Sequence, residues 1–162
     1  MRKKNRAVEN KEDSLKIIDK CDCCRLGFCY EDKPYVVPMN FGYTYENEKL
    51  TLYFHGDHEG KKMDLIRLNP NVCFEMDCSH EIVHNEIACL YTMKYESVIG
   101  EGKMSILTDD KEKSEALKHV MRKYAPDRTF EFESKHTKII TGFKLEVETF
   151  TGKHSTKGGS RS

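Results

Sequence analysis

Residues 34–56 read PYVVPMNFGYTYENEKLTLYFHG. In the second half, Leu50, Leu52 and Phe54 alternate with Thr51, Tyr53 and His55, the two-residue period of a strand with one buried face. The first half is a β-prone run rich in Val, Tyr and Phe, and Glu46-Asn47-Glu48 supplies a tight turn between the two. Pro38 cannot donate a ladder hydrogen bond, so its strand belongs at a sheet edge or at a bulge. Two strands joined by a short turn, with no helix between them, form an antiparallel pair.

The same pattern continues outward. Upstream, CRLGFCY ends at Tyr30, and Glu31-Asp32-Lys33-Pro34 is an acidic, proline-bearing turn signal that makes a hairpin with the following run. Before it, EDSLKIIDK (residues 12–20) places Leu15 and Ile18 on one face of a short helix, with Asp13 or Ser14 as its cap. Downstream, the period becomes helical from Asp57 to Leu68, with Met63, Leu65, Ile66 and Leu68 on the apolar face and Asn69-Pro70 as the stop. NVCFEMD returns to a strand. After a polar stretch, YTMKYESVIGEGKMSIL is too long for one flat strand, and Gly100 and Gly102 mark a bulge or bend. Residues 109–124 carry Ala116, Leu117, Val120, Met121 and Tyr124 at helical spacing, and Pro126 ends that helix. A last strand follows, in which Phe143, Leu145 and Val147 alternate with Lys144, Glu146 and Glu148.

About six strands, mostly joined by hairpins and with helices only at the breaks, predict a mainly β fold with flanking helices: a closed or nearly closed antiparallel barrel. The βαβ rhythm of a doubly wound sheet is missing, and so is any glycine-rich phosphate loop of the common patterns. A chain of 162 residues fits one domain. We expect a flexible N-terminus over residues 1–11, the folded domain over 12–151 and a flexible tail over 152–162.

Lys+Arg and Asp+Glu both number 27, so no whole-molecule field favours nucleic acid and an anion would need a local patch. No stretch approaches the roughly 18 apolar residues of a membrane helix, which predicts a soluble protein without a membrane partner. MRKKNRAVENKEDSL has a basic start but no apolar run after it, so it does not read as a secretory signal. With seven cysteines, an odd number, a cytoplasmic chain with reduced thiols is expected. Cys78, His80, His84 and Cys89 are of the types zinc prefers, but their spacing is not that of a paired structural site, and we assign no metal.

Two segments could carry chemistry. In LYFHGDHEGKKMDLI a strand ends at His55, Gly56 and Gly60 flank the break, and a helix begins with Lys61 and Lys62. Free N–H groups, the helix dipole and two ammonium groups suit an anion; the alternative is that both lysines solvate a helix face. In PYVVPMNFGY the irregularity at Pro38 would leave backbone groups outside the ladder, which a flat heteroaromatic ring could use together with the Asn40 amide. The alternative there is an ordinary edge strand.

Taken in order, P-x-V-x-P-M-N-F-G-Y, then L-Y-F-H-x-x-x-x-G-x-K, then N-P-x-V-C-F-E-x-D, then Y-x-S-V-x-G-x-G is similar to the split barrels related to pyridoxamine-phosphate oxidase that bind flavin mononucleotide (FMN). Within them the chain most resembles the nitroimidazole-resistance branch. The resemblance spans about Cys21 to Thr151 and implies a six-stranded antiparallel split β-barrel that forms a homodimer with FMN at the interface. It implies that Lys61 and Lys62 hold the FMN phosphate, and that Val37, Pro38, Met39 and Asn40 line the isoalloxazine edge. Tyr53, Phe54 and His55 would complete that wall, and Tyr95, Glu96 and Ser97 would come from the other subunit. His55 is either the proton donor of a nitro-reducing site or a hydrogen-bond partner of the phosphate or ribityl chain.

The implied activity is FMN-dependent reduction of a small nitroaromatic acceptor, with a reduced nicotinamide or similar small-molecule donor. Other readings on the same barrel are a non-enzymatic flavin-binding or sensor protein, or an enzyme using a deazaflavin or haem. True pyridoxamine-phosphate oxidases end in a tryptophan-bearing segment; this chain has no Trp, which argues against vitamin B6 oxidation.

Overall fold

The computed structural model of the chain describes residues 6–155; the outer parts of both expected tails, residues 1–5 and 156–162, lie outside the described residues. The elements run α1 (Lys11–Lys20), β1 (Cys24–Tyr30), β2 (Lys33–Met39), β3 (Gly42–Glu46), β4 (Lys49–Gly56), α2 (Lys61–Leu68), β5 (Asn71–Val83), β6 (Thr92–Leu107), α3 (Asp110–Tyr124), α4 (Ser134–Thr137) and β7 (Thr141–Ser155). A 3-10 turn at Ala88–Leu90 separates β5 from β6. All strands join one antiparallel sheet in the order β2-β1-β5-β6-β7-β4-β3.

The sheet has seven strands where the sequence predicts six, because PYVVPMNFGYTY is two strands. β2 pairs with β1, and β3 pairs with β4. They are opposite edges of the sheet, yet only Asn40 and Phe41 join them. Three Cα steps reach about 11 Å, whereas the outer strands of a flat seven-stranded sheet would stand about 29 Å apart at the usual spacing. The sheet is therefore rolled until its edges meet at one corner, and β2 and β3 do not pair. This is a split barrel.

Local chemistry sets the hairpins. Glu31 and Asp32 both have positive φ (49° and 58°) between the paired Tyr30 and Lys33, and Asn47 and Glu48 (51° and 62°) do the same between Glu46 and Lys49. Two left-handed residues in a two-residue loop match the twist of the strands they join. Pro34 and Pro38 both sit on β2, an edge strand where a missing N–H leaves no gap in the ladder. The bend expected near Gly100 and Gly102 is a register shift between Glu101 and Gly102 against β7.

Three boundaries differ from the sequence reading. α1 starts one residue earlier, and its cap is Asn10, whose side chain accepts from the Asp13 N–H, rather than Asp13 or Ser14. β5 continues through the polar stretch to Val83, absorbing an irregularity between Cys78 and Glu81. β7 continues past Thr151 because Gly152 to Ser155 pair with Val98 to Tyr95.

The core fills the roll, with Leu26, Phe41, Leu52, Phe54, Phe74, Met76, Val98, Phe143 and Leu145 almost fully buried. α1 covers one end through Ile17 and Ile18, and α2 covers the other through Met63, Leu65 and Ile66. α3 packs outside β3 and β4, so closely that a Cβ on Gly42 would stand 2.3 Å from the His119 carbonyl carbon.

Candidate functional site

The registers leave an opening beside α2. β3 begins at Gly42, opposite Tyr53, so Phe54, His55 and Gly56 run beyond it and pair only with β7. β2 pairs only with β1. Both strands thus present backbone groups to the split without a ladder partner, as any sheet edge does.

At the foot of this split the chain turns into α2. Gly60 is its N-cap with φ 123° and ψ 163°, a conformation that L side chains avoid, and it makes no side-chain cap bond. The first helical bond runs from Met63 N–H to the Gly60 carbonyl at 2.9 Å, which leaves the N–H groups of Lys61 and Lys62 ahead of it, outside the intrahelical ladder. The Lys61 ammonium stands 4.5 Å from the centroid of the Tyr35 ring on β2. The Lys62 side chain lies over Gly56 on β4, where a Cβ would come within 2.9 Å of Cε and 3.1 Å of Nζ. Two consecutive lysines therefore reach the two lips of the split, and between them the helix start offers free donors and its positive dipole end.

Val37 and Met39 are half-buried on β2, while Pro38 and Asn40 are exposed. Tyr35, under Lys61, and Asn40 are five residues apart, about 16 Å along a strand. A ligand reaching from the lysines to the Asn40 amide would lie along β2. Phe54 is fully buried with its ring in the core beside its ladder partner Phe143, so only its main chain can face the split. Tyr53 points outward, but its ring stacks on His119 of α3 at 4.7 Å and 17°, and its hydroxyl lies 3.3 Å from Thr44 Oγ1. That face of Tyr53 is committed to α3.

His55 is exposed at the end of β4, yet the atoms packed around its ring hold the imidazole below its ordinary pKa, by desolvation. It is neutral at pH 7 in the free chain, so it would have to gain a proton before giving one; a phosphate close by would favour that. His119 is lowered as well, first by burial and then by Arg122. For a group whose folded pKa is depressed below 6.5, an imidazole costs stability when it must charge. The contribution is therefore whole above pH 6.5 and is lost as pH falls through it. Unfolding free energy from urea titration is expected to drop between pH 7.5 and pH 5.5, and by less in a His55→Gln/His119→Gln variant. An identical drop in the variant would show that neither ring carries the effect.

Tyr95, Glu96 and Ser97 lie elsewhere. They sit at the α1 end, where Glu96 accepts from Lys20 and from Ser79, both at 2.7 Å, and Lys20 chiefly holds its carboxyl below the ordinary range. The Tyr95 hydroxyl is 3.5 Å from Arg6, and Ser97 is buried opposite Lys153. Ten residues of β6 separate Ser97 from Leu107, whose partner Gly142 also pairs with His55, a run of roughly 33 Å. A single chain does not bring these three residues to the lysines.

Nothing local in the sequence marks His58, which turns out to be tied across the fold. Its Nε2 donates to the Lys138 carbonyl at 2.9 Å, and its Nδ1 takes the Thr141 hydroxyl at 2.9 Å. The Cys78 to Cys89 stretch is dispersed instead: His80 pairs with Asp77 at 2.7 Å, and His84 packs edge-on to Tyr91. Among the described residues no group of three His, Cys, Asp or Glu side chains is arranged to hold a metal ion.

A family model for pyridoxamine 5'-phosphate oxidase matches residues 10–154. The chain belongs to this family. Among solved structures with the pyridoxamine 5'-phosphate oxidase fold, it is similar to a candidate 5-nitroimidazole antibiotic resistance protein from Bacteroides thetaiotaomicron. The two are 36% identical over 91% of this chain and 86% of that one, with a TM-score of 0.78. The flavocytochrome of Azotobacter vinelandii (TM-score 0.81, 18% identity, 100% of this chain and 75% of that one) shares the fold. So does an FAD- and haem-binding protein of Mycobacterium smegmatis (TM-score 0.84, 14% identity, 97% and 77%). No protein with a curated description matches the chain. Among the described residues, no helix is long and apolar enough to cross a membrane.

Proposed function

We propose that this chain is an FMN-dependent oxidoreductase that reduces small nitroaromatic acceptors, working as a homodimer with FMN at the interface. The observation that carries this reading is the pair Lys61 and Lys62 reaching opposite lips of the split above a glycine-capped helix start. A donor set of two ammonium groups and free N–H groups fits a phosphate. The barrel edge above it offers main-chain donors and acceptors to a flat, polar-edged ring. The 36% identical relative supports the nitroaromatic acceptor, since its name connects it with nitroimidazole resistance.

In this reading Lys61, Lys62 and their N–H groups hold the phosphate, and the main chain of Val37, Pro38 and Met39 with the Asn40 amide borders the ring. Tyr53 and Phe54 act through their backbone and packing. When bound, FMN would supply the redox chemistry, with a reduced nicotinamide or similar small molecule as the electron source. His55, the residue before the Gly56 that Lys62 covers, is the one assigned to hold or relay a proton. The resemblance gives Tyr95, Glu96 and Ser97 to this site, and because they lie far from the lysines of their own chain they would serve it from a second copy. The seven cysteines are all free, which suits a reducing cytoplasm.

The test is an absorption spectrum and a sizing measurement on the purified protein, followed by nitroimidazole turnover with a reduced nicotinamide. A yellow dimer that turns over is expected, with turnover reduced in His55→Gln at unchanged flavin content. Colourless protein that stays so with excess FMN, or a haem band instead, would overturn the cofactor assignment. Bound FMN without turnover would leave a flavin-binding or sensor protein.

A further inference from the structure

We propose that His58 is a positioning residue for the phosphate cradle, a role that rests on the FMN reading above. His58 lies in the four-residue break between β4 and α2, two residues before the Gly60 cap. Such a break is free to move unless tied down, because it has no ladder and the cap has no side-chain bond. His58 supplies the tie. Because a carbonyl can only accept, Nε2 must carry the proton it gives to Lys138; in the neutral ring Nδ1 is then the acceptor for the Thr141 hydroxyl. One tautomer satisfies both bonds, and together they fix the plane of the ring.

The anchor it grips is itself immobilised. Thr137 is 1% exposed, and its hydroxyl donates to Asp110 at 2.9 Å in the first turn of α3. Glu133 and His136 close a capping box on α4. Thr141 is buried and opens β7, the strand that pairs with His55 and Gly56. The segment from Glu133 to Thr141 thus holds the loop on one side while β7 holds the end of β4 on the other. Gly60, with nothing within 4 Å of where its Cβ would be, gets no such support from packing. Without His58 the break would keep only the local bond from the His58 N–H to Asp57 and the packing of Met63, Leu65 and Ile66 further along α2, and nothing from the β7 side would fix the direction of the first N–H groups or the reach of Lys62 over Gly56.

FMN and riboflavin differ by the phosphate alone, so the ratio of their affinities reads the cradle and little else. Fluorescence titrations of both flavins are run on the wild-type chain, His58→Ala, His58→Gln and Thr141→Val, with a thermal melt of each without flavin. The ratio in favour of FMN is expected to fall roughly tenfold in His58→Ala, on the scale of two lost hydrogen bonds, while riboflavin affinity stays within about twofold. A smaller fall is expected in Thr141→Val, and His58→Gln, whose amide can both donate and accept, is expected to restore most of the ratio. If His58→Ala melts lower but keeps the wild-type ratio, or loses both flavins equally, His58 is merely structural and the proposal falls. If the wild-type chain itself shows no preference for FMN over riboflavin, the cradle reading falls first, and with it the role of His58.

Discussion

A Lys61→Ala/Lys62→Ala variant is expected to bind FMN at least a hundredfold more weakly than the wild-type chain. In the proposed site each ammonium would make one charge-assisted contact of roughly 1.5–3 kcal/mol to a phosphate, so two would come to about 3 kcal/mol or more. The fold should survive, because Lys61 is exposed, Lys62 is half-buried, and Ala is the best helix former for the first turn of α2. Riboflavin binding should change little, and the FMN affinity of the wild-type chain should weaken with added salt more steeply than that of the variant. Isothermal titration at two ionic strengths measures all of this. Unchanged FMN affinity in a folded variant would mean that the lysines only solvate their helix face and that the split holds something else, or nothing. Lys61→Arg/Lys62→Arg is expected to retain most of the affinity, since it keeps both charges.

The three longer helices and the hairpins were legible because their signals are local, whereas the four residues of α4 lie in a stretch that reads as a loop. Met63, Leu65 and Ile66 are buried on α2 at the spacing that marks them in the sequence, and Ala116, Leu117 and Val120 are buried on α3. The division of PYVVPMNFGYTY was not legible. Asn40 and Gly42 around an aromatic residue in a β-prone run are a weak turn signal, and the chain changes sheet edge there because the rest of the sheet rolls up, a consequence of pairings more distant in sequence. The strand-to-helix break with its glycine cap and two lysines could be read directly, since its parts are consecutive in the sequence. Which faces of Tyr53 and Phe54 are free could not, because alternation shows that neighbours point opposite ways but not that α3 lies over one side. His58 was invisible for the same reason: both its partners come some 80 residues later.

Phe54→Ala is expected to destabilise the chain by about 3–5 kcal/mol, the usual cost of truncating a fully buried Phe. The resemblance placed Phe54 on the wall of the flavin site, whereas the structure turns its ring inward, fully buried, onto the core. These placements predict different failures. A core ring costs stability with or without flavin, lowering the melting temperature by about 6–20 °C at the 2–4 °C per kcal/mol usual for this size. Its loss should leave FMN affinity nearly intact at a temperature where the variant is still folded, since only the backbone of β4 faces the split there. A ring on the wall would do the reverse. Phe54→Leu refines the comparison, because it refills most of the cavity and should recover more than half of the lost stability. A Phe54→Ala chain that melts normally but no longer holds FMN would mean that β4 is shifted by one residue, which would turn His55 into the core and Phe54 out to the split.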